Sequence, residues 1–323
     1  LARRRNVQEL LGTLLFNFDR AQKRVAASSP VRNGKDPFVY LINRIKALRR
    51  GESIFGRIVM MNKPAGFITS TKRQPGCLHI PVVTELLPDH FSDLKPTGRL
   101  DRYTTGLLLF ISDGHLIEAL TNPEIKGQRK VEKVYIAEVK GSPGKSVVRA
   151  LERGFKLRFP KDNGRYKLEF VKADEAQLLG ISKRGRPRIR IVLSQGRNRQ
   201  VRRMLEYLGH PVLALQRCAF AGITLGDLGE GQVRELTEDE YAHIANLYLA
   251  ILEDRLAYLR GKSSSPLLSG QGSEECFSSG EIVAKCAAID VIDKAFMEYR
   301  DNPALPLIAR LELLHMLSVL EGN

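Results

Sequence analysis

Cysteine is scarce in this 323-residue chain: Cys77, Cys218, Cys276 and Cys286 are the only four. None pairs in a CxxC spacing, which excludes a zinc ribbon or disulfide scaffold and leaves the reduced thiols of an intracellular protein as the expectation. No run of eighteen apolar residues occurs, so the sequence offers no membrane span. The six histidines are scattered, with no HExxH and no pair at i,i+4 spacing. The stretch from Gly141 to Ser146 (GSPGKS) fails as a phosphate loop because Val139 stands where the first glycine must be. No GxGxxG follows a strand. Neither a metal nor a nucleotide cofactor is expected.

Acidic residues are also in deficit. Against 51 Lys and Arg stand 36 Asp and Glu, a formal charge of +15 and a pI near 9.8, and such a balance makes nucleic acid the leading partner. The excess is uneven: residues 1–50 carry net +9, residues 51–240 net +10 and residues 241–323 net −4. Hydrophobic and charged fractions of 43% and 27% are those of a globular protein rather than a disordered one. The length allows about two domains at ~100–200 residues each.

Composition divides the chain further. Residues 1–56 form a basic arm beginning LARRRN, without an initiator Met and rich in Arg; an RNA-binding arm and the remnant of an organellar leader fit equally well. The expected compartment is accordingly the cytoplasm, with a mitochondrial or plastid matrix as the alternative. From Gly56 onward, short apolar runs bounded by Gly, Pro and Asn predict strands at Arg57–Met61, Leu107–Ser112, Lys133–Val139, Lys167–Val171, Arg188–Leu193 and Val212–Phe220. Helical spacing predicts His115–Thr121, Lys145–Arg153 and Arg199–Leu208 between them. Strands and helices mixed without regular alternation predict an α+β domain over residues 57–240. Thr237-Glu238-Asp239-Glu240 reads as a capping box opening a long helix to about Leu259. A Ser/Gly-rich linker over 263–280 and two further helices, Glu281–Tyr299 and Leu305–Leu320, are expected beyond it.

Two blocks carry chemistry. In Gly98-Arg99-Leu100-Asp101-Arg102-Tyr103-Thr104-Thr105-Gly106, a carboxylate stands between two arginines just before an apolar run. A carboxylate in such a positive field suits a nucleophile or base, and equally a loop Asp in structural ion pairs. The second block, residues 183–203, holds nine Lys and Arg and no acid. Crowding like charges without neutralisation is costly unless a polyanion lies nearby, so phosphate contacts are the simplest account. Its second half, Gly196-Arg197-Asn198-Arg199-Gln200-Val201-Arg202-Arg203-Met204-Leu205, reads as a loop entering a helix, where free amides add to an anion site. Val201, Met204, Leu205 and Leu208 mark that helix's buried side, and Arg202 adjoins it.

These blocks, with Asn62-Lys63-Pro64-Ala65-Gly66, Lys133-Val134-Tyr135 and the run from Gly196 to Arg217 (GRNRQVRRMLEYLGHPVLALQR), resemble the RsuA-type RNA pseudouridine synthases, a bacterial rRNA-modifying group. The likeness spans roughly residues 57–240. It implies a mixed, mainly antiparallel central sheet flanked by helices, with a catalytic cleft across the sheet and extra helices at the C-terminus. It implies isomerisation of uridine to its C-glycoside, on rRNA or alternatively tRNA, without cofactor or metal. Asp101 matches the nucleophile, attacking uracil or ribose. Tyr135 matches the residue stacking on the flipped base, and Arg202 the partner of the aspartate. Arg99 positions the extruded nucleotide; Lys63, Arg102, Arg197, Arg199 and Arg203 are the further RNA-contact candidates. Two departures stand out. Residues 1–56 lack the small RNA-binding domain most members carry, and the acidic helical extension suits a protein partner better than RNA. A monomer is expected. The alternative is a non-catalytic ribosome-assembly factor of the same fold.

Overall fold

The computed structural model describes Gly12, Phe16, residues 56–73, 75–122, 129–160 and 164–262, and Ile292. The expected linker over 263–280 and the helices Glu281–Tyr299 and Leu305–Leu320 lie outside the described residues, as does nearly all of the basic arm. The chain falls into two compact units. The larger, Arg57–Glu124 with Lys130–Ile244, holds every strand found among the described residues. In the other, the helix residues Ala245, Tyr248, Ile251 and Leu252 are buried at helical spacing.

The larger unit is a mixed sheet. Its strands are β1 (Ile58–Lys63), β2 (Lys95–Pro96), β3 (Thr104–Ile111), β4 (Lys133–Val139), β5 (Phe155–Pro160), β6 (Tyr166–Val171), β7 (Glu175–Ile181), β8 (Pro187–Leu193), β9 (Val212–Phe220), β10 (Ile223–Thr224) and β11 (Val233–Glu235). The main order is β11-β1-β3-β9-β4-β8-β7, while β5 and β6 make a separate two-stranded ribbon. All pairs are antiparallel except β3 with β9. The helices are α1 (Gly114–Thr121), α2 (Lys145–Arg153), α3 (Gln200–Tyr207) and α4 (Glu238–Lys262). Among the described residues no helix is long and apolar enough to cross a membrane.

Strands β1 and β3 are covered on both faces, so their sequences IVMMNK and TTGLLLFI run apolar without alternation. Lys133–Val139 and Val212–Phe220 form strands at their predicted bounds. Five strands went unpredicted: β2, β10 and β11, of two or three residues each, and the longer β5 and β7. β5 has a plain two-residue alternation, FKLRFP, and β7 is a half-exposed edge strand whose pairing shifts register between Leu178 and Ile181, around Gly180. Helix caps follow the sequence: the Asp113 carboxylate accepts the Leu116 amide at 2.8 Å. At Thr237 both halves of the box form, the Thr237 amide donating to Glu240 at 2.9 Å and the Glu240 amide to Thr237 Oγ1 at 3.3 Å.

One face of the sheet carries two hydrophobic clusters. Val59, Met61, Leu108 and Phe110 pack with Val83, Leu87, Phe91, Leu94 and Leu100. Ala137, Ile189, Ile191 and Leu215 pack with Val147 and Leu151 of α2 and with Val201, Met204 and Leu205 of α3. Tyr135 touches both clusters. It stands where the two halves of this face meet, and there the cleft opens.

Candidate active site

The parallel β3–β9 pair creates the site. It aligns Thr104 with Leu215 and Gly106 with Arg217, bringing the Asp101 loop beside the loop that enters α3. Glycine is required at the crossing: Gly106 has φ +104°, and a β-carbon there would run into the Arg217 backbone. The cleft is shallow, with a volume of about 70 Å³, and open to solvent on one side. Arg99, Leu100, Asp101, Thr104, Tyr135, Gln195, Arg197, Arg199, Gln200 and Leu215 contribute to its walls. Asp101 is the one carboxylate among its described lining residues.

The backbone on both sides of Asp101 is braced by residues from the segment Lys63–Thr69. Thr69 Oγ1 donates to the Leu100 carbonyl at 2.8 Å and accepts the Leu100 amide at 3.1 Å. The Thr104 amide donates to the Asp101 carbonyl at 3.0 Å, and the Gly66 amide to the Arg102 carbonyl at 2.8 Å. Lys63 Nζ donates to the carbonyls of Pro64, Arg102 and Thr104 at 2.8, 3.2 and 3.0 Å. The backbone that carries Asp101 is thus fixed before any substrate arrives.

Its carboxylate meets two cations at one oxygen. Arg199 and Arg202 each approach Oδ2 at 3.5 Å, long for a hydrogen bond but close for an ion pair. Arg202 also donates to the Tyr103 carbonyl at 3.1 Å and Thr104 Oγ1 at 3.2 Å. Burial pulls the Arg202 pKa down and Asp101 opposes that shift; as a guanidinium it stays charged. Arg199 is the N-cap of α3 and has φ 51°, in the left-handed region. A non-glycine residue there is strained, and such strain concentrates at functional positions.

The remaining candidates divide. Arg99 lines the cleft as expected. Arg197 lines it too but also binds Glu169 of β6 at 2.7 Å, tying the ribbon to the rim. Arg102 donates to the Gly66 carbonyl at 3.1 Å and lies over the exposed Tyr103 ring. Arg203 is absent from the lining; its guanidinium sits 5.5 Å above Phe159 on the inner face of the ribbon. Lys63 requires correction: expected at a phosphate, it is fully buried, and its three donors are occupied by backbone carbonyls. Burial lowers its pKa to about 8, against the opposing pull of Asp101 and Glu230.

Sequence reasoning missed Thr69, Gln200 and Arg217. Arg217 is buried, pairs across the strands with Tyr135 and donates to the Leu107 carbonyl at 2.8 Å. Burial lowers its pKa, opposed by its interaction with Tyr135. Lys63, Gly106, Arg217 and Tyr135 form one row across four strands on one face. Arg217 closes the run that carries the family resemblance, but only strand register places it opposite Tyr135. Among the described residues, no cluster of His, Cys, Asp and Glu could hold a metal.

Comparison with known proteins gives a consistent picture. Residues 57–207 match a family model described as RNA pseudouridylate synthase. The chain is 34% identical over 207 residues to ribosomal large subunit pseudouridine synthase B of Bacillus subtilis (strain 168), covering 64% of this chain and 77% of that protein. It is 30% identical over 190 residues to ribosomal small subunit pseudouridine synthase A of Escherichia coli (strain K12), covering 58% of this chain and 74% of that protein. A crystal structure of a pseudouridylate synthase aligns with a TM-score of 0.47 at 27% identity, over 58% of this chain and 73% of the other.

Proposed function

This chain belongs to the RNA pseudouridylate synthase family, and from that premise we propose that it converts uridine to pseudouridine in ribosomal RNA with Asp101 as nucleophile. Ribosomal RNA is the substrate class in the names of both the Bacillus subtilis and Escherichia coli relatives, and the +15 charge suits it.

The reaction is an isomerisation, so nothing is consumed. The bond from N1 of uracil to C1′ of ribose breaks, the base turns, and C5 bonds to C1′. C5 releases its proton to solvent and N1 gains one. Such a sequence needs an electron-pair donor that first adds and then leaves, and the single carboxylate of the cleft is suited to that role. Its supports are in the geometry: Arg199 and Arg202 share its Oδ2, and the clamps of Thr69 and Lys63 fix the loop on either side. Tyr135, at the junction of the two clusters, supplies the flat surface on which a flipped uracil stacks. Arg99 and Arg199, at the rim, are placed for the phosphates flanking it. Arg202 acts on Asp101 and the loop carbonyl rather than on RNA.

The observation carrying this reading is the lone, doubly paired carboxylate in the cleft. Its test is tritium release from C5-labelled uridine in ribosomal RNA. Wild type should release tritium and form pseudouridine, and Asp101→Asn should fold and bind RNA yet release none. A folded wild type that forms no pseudouridine on ribosomal or transfer RNA of its own source overturns the proposal.

A further inference from the structure

We propose that the outer face of the β5–β6 ribbon is a second RNA-binding surface, which grips single-stranded RNA leaving the cleft. The inference rests on RNA being the substrate, and it assigns a role to residues outside the cleft.

The ribbon has two unlike faces. Register pairs Lys156 with Phe170, Arg158 with Leu168 and Pro160 with Tyr166, and residues directly opposite share a face. The inner face is core: Leu157, Phe159 and Val171 are buried with α2 and α3. On the outer face, Tyr166, Leu168 and Phe170 are 68%, 58% and 52% exposed. Three large apolar side chains in line on one strand are not a scatter of surface hydrophobics; such a contiguous patch marks an interaction site.

Charge selects the occupant. Beside the apolar column of β6 runs a column from β5 with Lys156 and Arg158, both exposed. The described residues of this face include no carboxylate; Glu169 points to the inner side, where it is paired with Lys167 at 3.2 Å and Arg197 at 2.7 Å. Aromatic rings next to unpaired cations are the chemistry of single-strand binding, with bases stacking on rings and phosphates on cations. A protein interface would favour an apolar centre depleted of lysine. Tyr166 and Phe170 lie about 13 Å apart along the strand at ~3.3 Å per residue, room for more than one base.

Position connects the ribbon to the reaction. Arg197 lines the cleft and holds Glu169, and Arg203 of α3 lies over Phe159. The ribbon therefore starts at the rim, and RNA whose uridine enters the cleft can continue across its outer face.

The probe is a fluorescein-labelled oligouridylate of about 20 nucleotides, followed by anisotropy across a salt series. Lys156→Gln with Arg158→Gln should lower the salt slope by about 1.4, near 0.7 per phosphate contact on single strands. Tyr166→Ser with Phe170→Ser should weaken binding at least tenfold and leave the slope unchanged. Because Phe170 packs over Gly154, a second measurement avoids the folding question: 4-thiouridine RNA irradiated with wild type should crosslink to the peptide holding Tyr166 and Phe170. Unchanged affinity and slope in the variants, or crosslinks confined to the cleft, overturn the proposal. So does a change in sedimentation coefficient on substitution, which would make this face a contact between copies of the chain. If wild type binds RNA through the ribbon but forms no pseudouridine, the catalytic reading fails and this one stands.

Discussion

At Asp101 the chain turns between two backbone clamps, Thr69 on Leu100 and Lys63 on Arg102 and Thr104. Arg202 completes the frame with three partners that diverge from one guanidinium. A lysine cannot span them, so Arg202→Lys should cut single-turnover pseudouridine formation about tenfold or more while RNA affinity stays within about twofold. Arg199, half exposed beside the same oxygen, should behave differently. Arg199→Ala is expected to weaken RNA binding and lower the salt slope by about one. Lys63 yields a prediction about pH. Its folded pKa is about 8 against an ordinary 10.5, so between those values the unfolded chain holds a proton that the folded chain has released. Stability from this group therefore increases as pH rises from about 8 to about 10.5, by on the order of 3 kcal/mol at most. Lys133 shifts the same way through burial and Arg217, so the wild-type curve alone does not isolate Lys63. The difference between wild type and Lys63→Met, from urea denaturation at several pH values, should grow over that window; a flat difference would show that Lys63 does not carry it.

Among the elements, the β3–β9 pair and the start of α4 are the most sharply determined. Gly106→Ala places a β-carbon against the Arg217 backbone at a φ that side chains rarely adopt, so strands must part at the floor of the cleft. A loss of at least about 3 kcal/mol is expected in chemical denaturation, with activity falling alongside. At α4, Glu240 accepts the Thr237 amide and two hydrogen bonds from Arg234 at 2.6 and 2.8 Å. These bonds, Arg234 foremost, lower its pKa to about 2. A depressed carboxylate stabilises above its unfolded pKa and loses that contribution as pH falls through the folded value. Glu240→Gln should thus cost about 1 kcal/mol at neutral pH, allowing for solvent screening, and the difference should vanish between about pH 4.5 and 2. The capping box was legible because it is four consecutive residues. The ribbon strand β5 was passed over although its alternation is plain, since a short run ending in Pro160 gives no sign of the partner that makes it a strand.

Over the whole molecule, charge and topology act on different scales. The structure distributes the basic surplus of residues 51–240 unequally: Lys63 and Arg217 are internal braces, Arg203 covers the ribbon, and Arg99 and Arg199 face the cleft. The salt slope of RNA binding should therefore report far fewer contacts than the formal charge. The sequence by itself determined the kind of fold, the caps at Asp113 and Thr237 and the longer strand cores, and it singled out Asp101, Tyr135 and Arg202 as the residues to test, because each depends on neighbours in the chain or on a contiguous motif. Only tertiary structure decided which cations are exposed, that Arg217 pairs with Tyr135, and that the ribbon turns Tyr166, Leu168 and Phe170 outward. Those facts depend on strand register and on the single parallel pairing of β3 with β9, which join residues more than a hundred positions apart, and a charge carries no mark in sequence of whether water or a carbonyl will meet it.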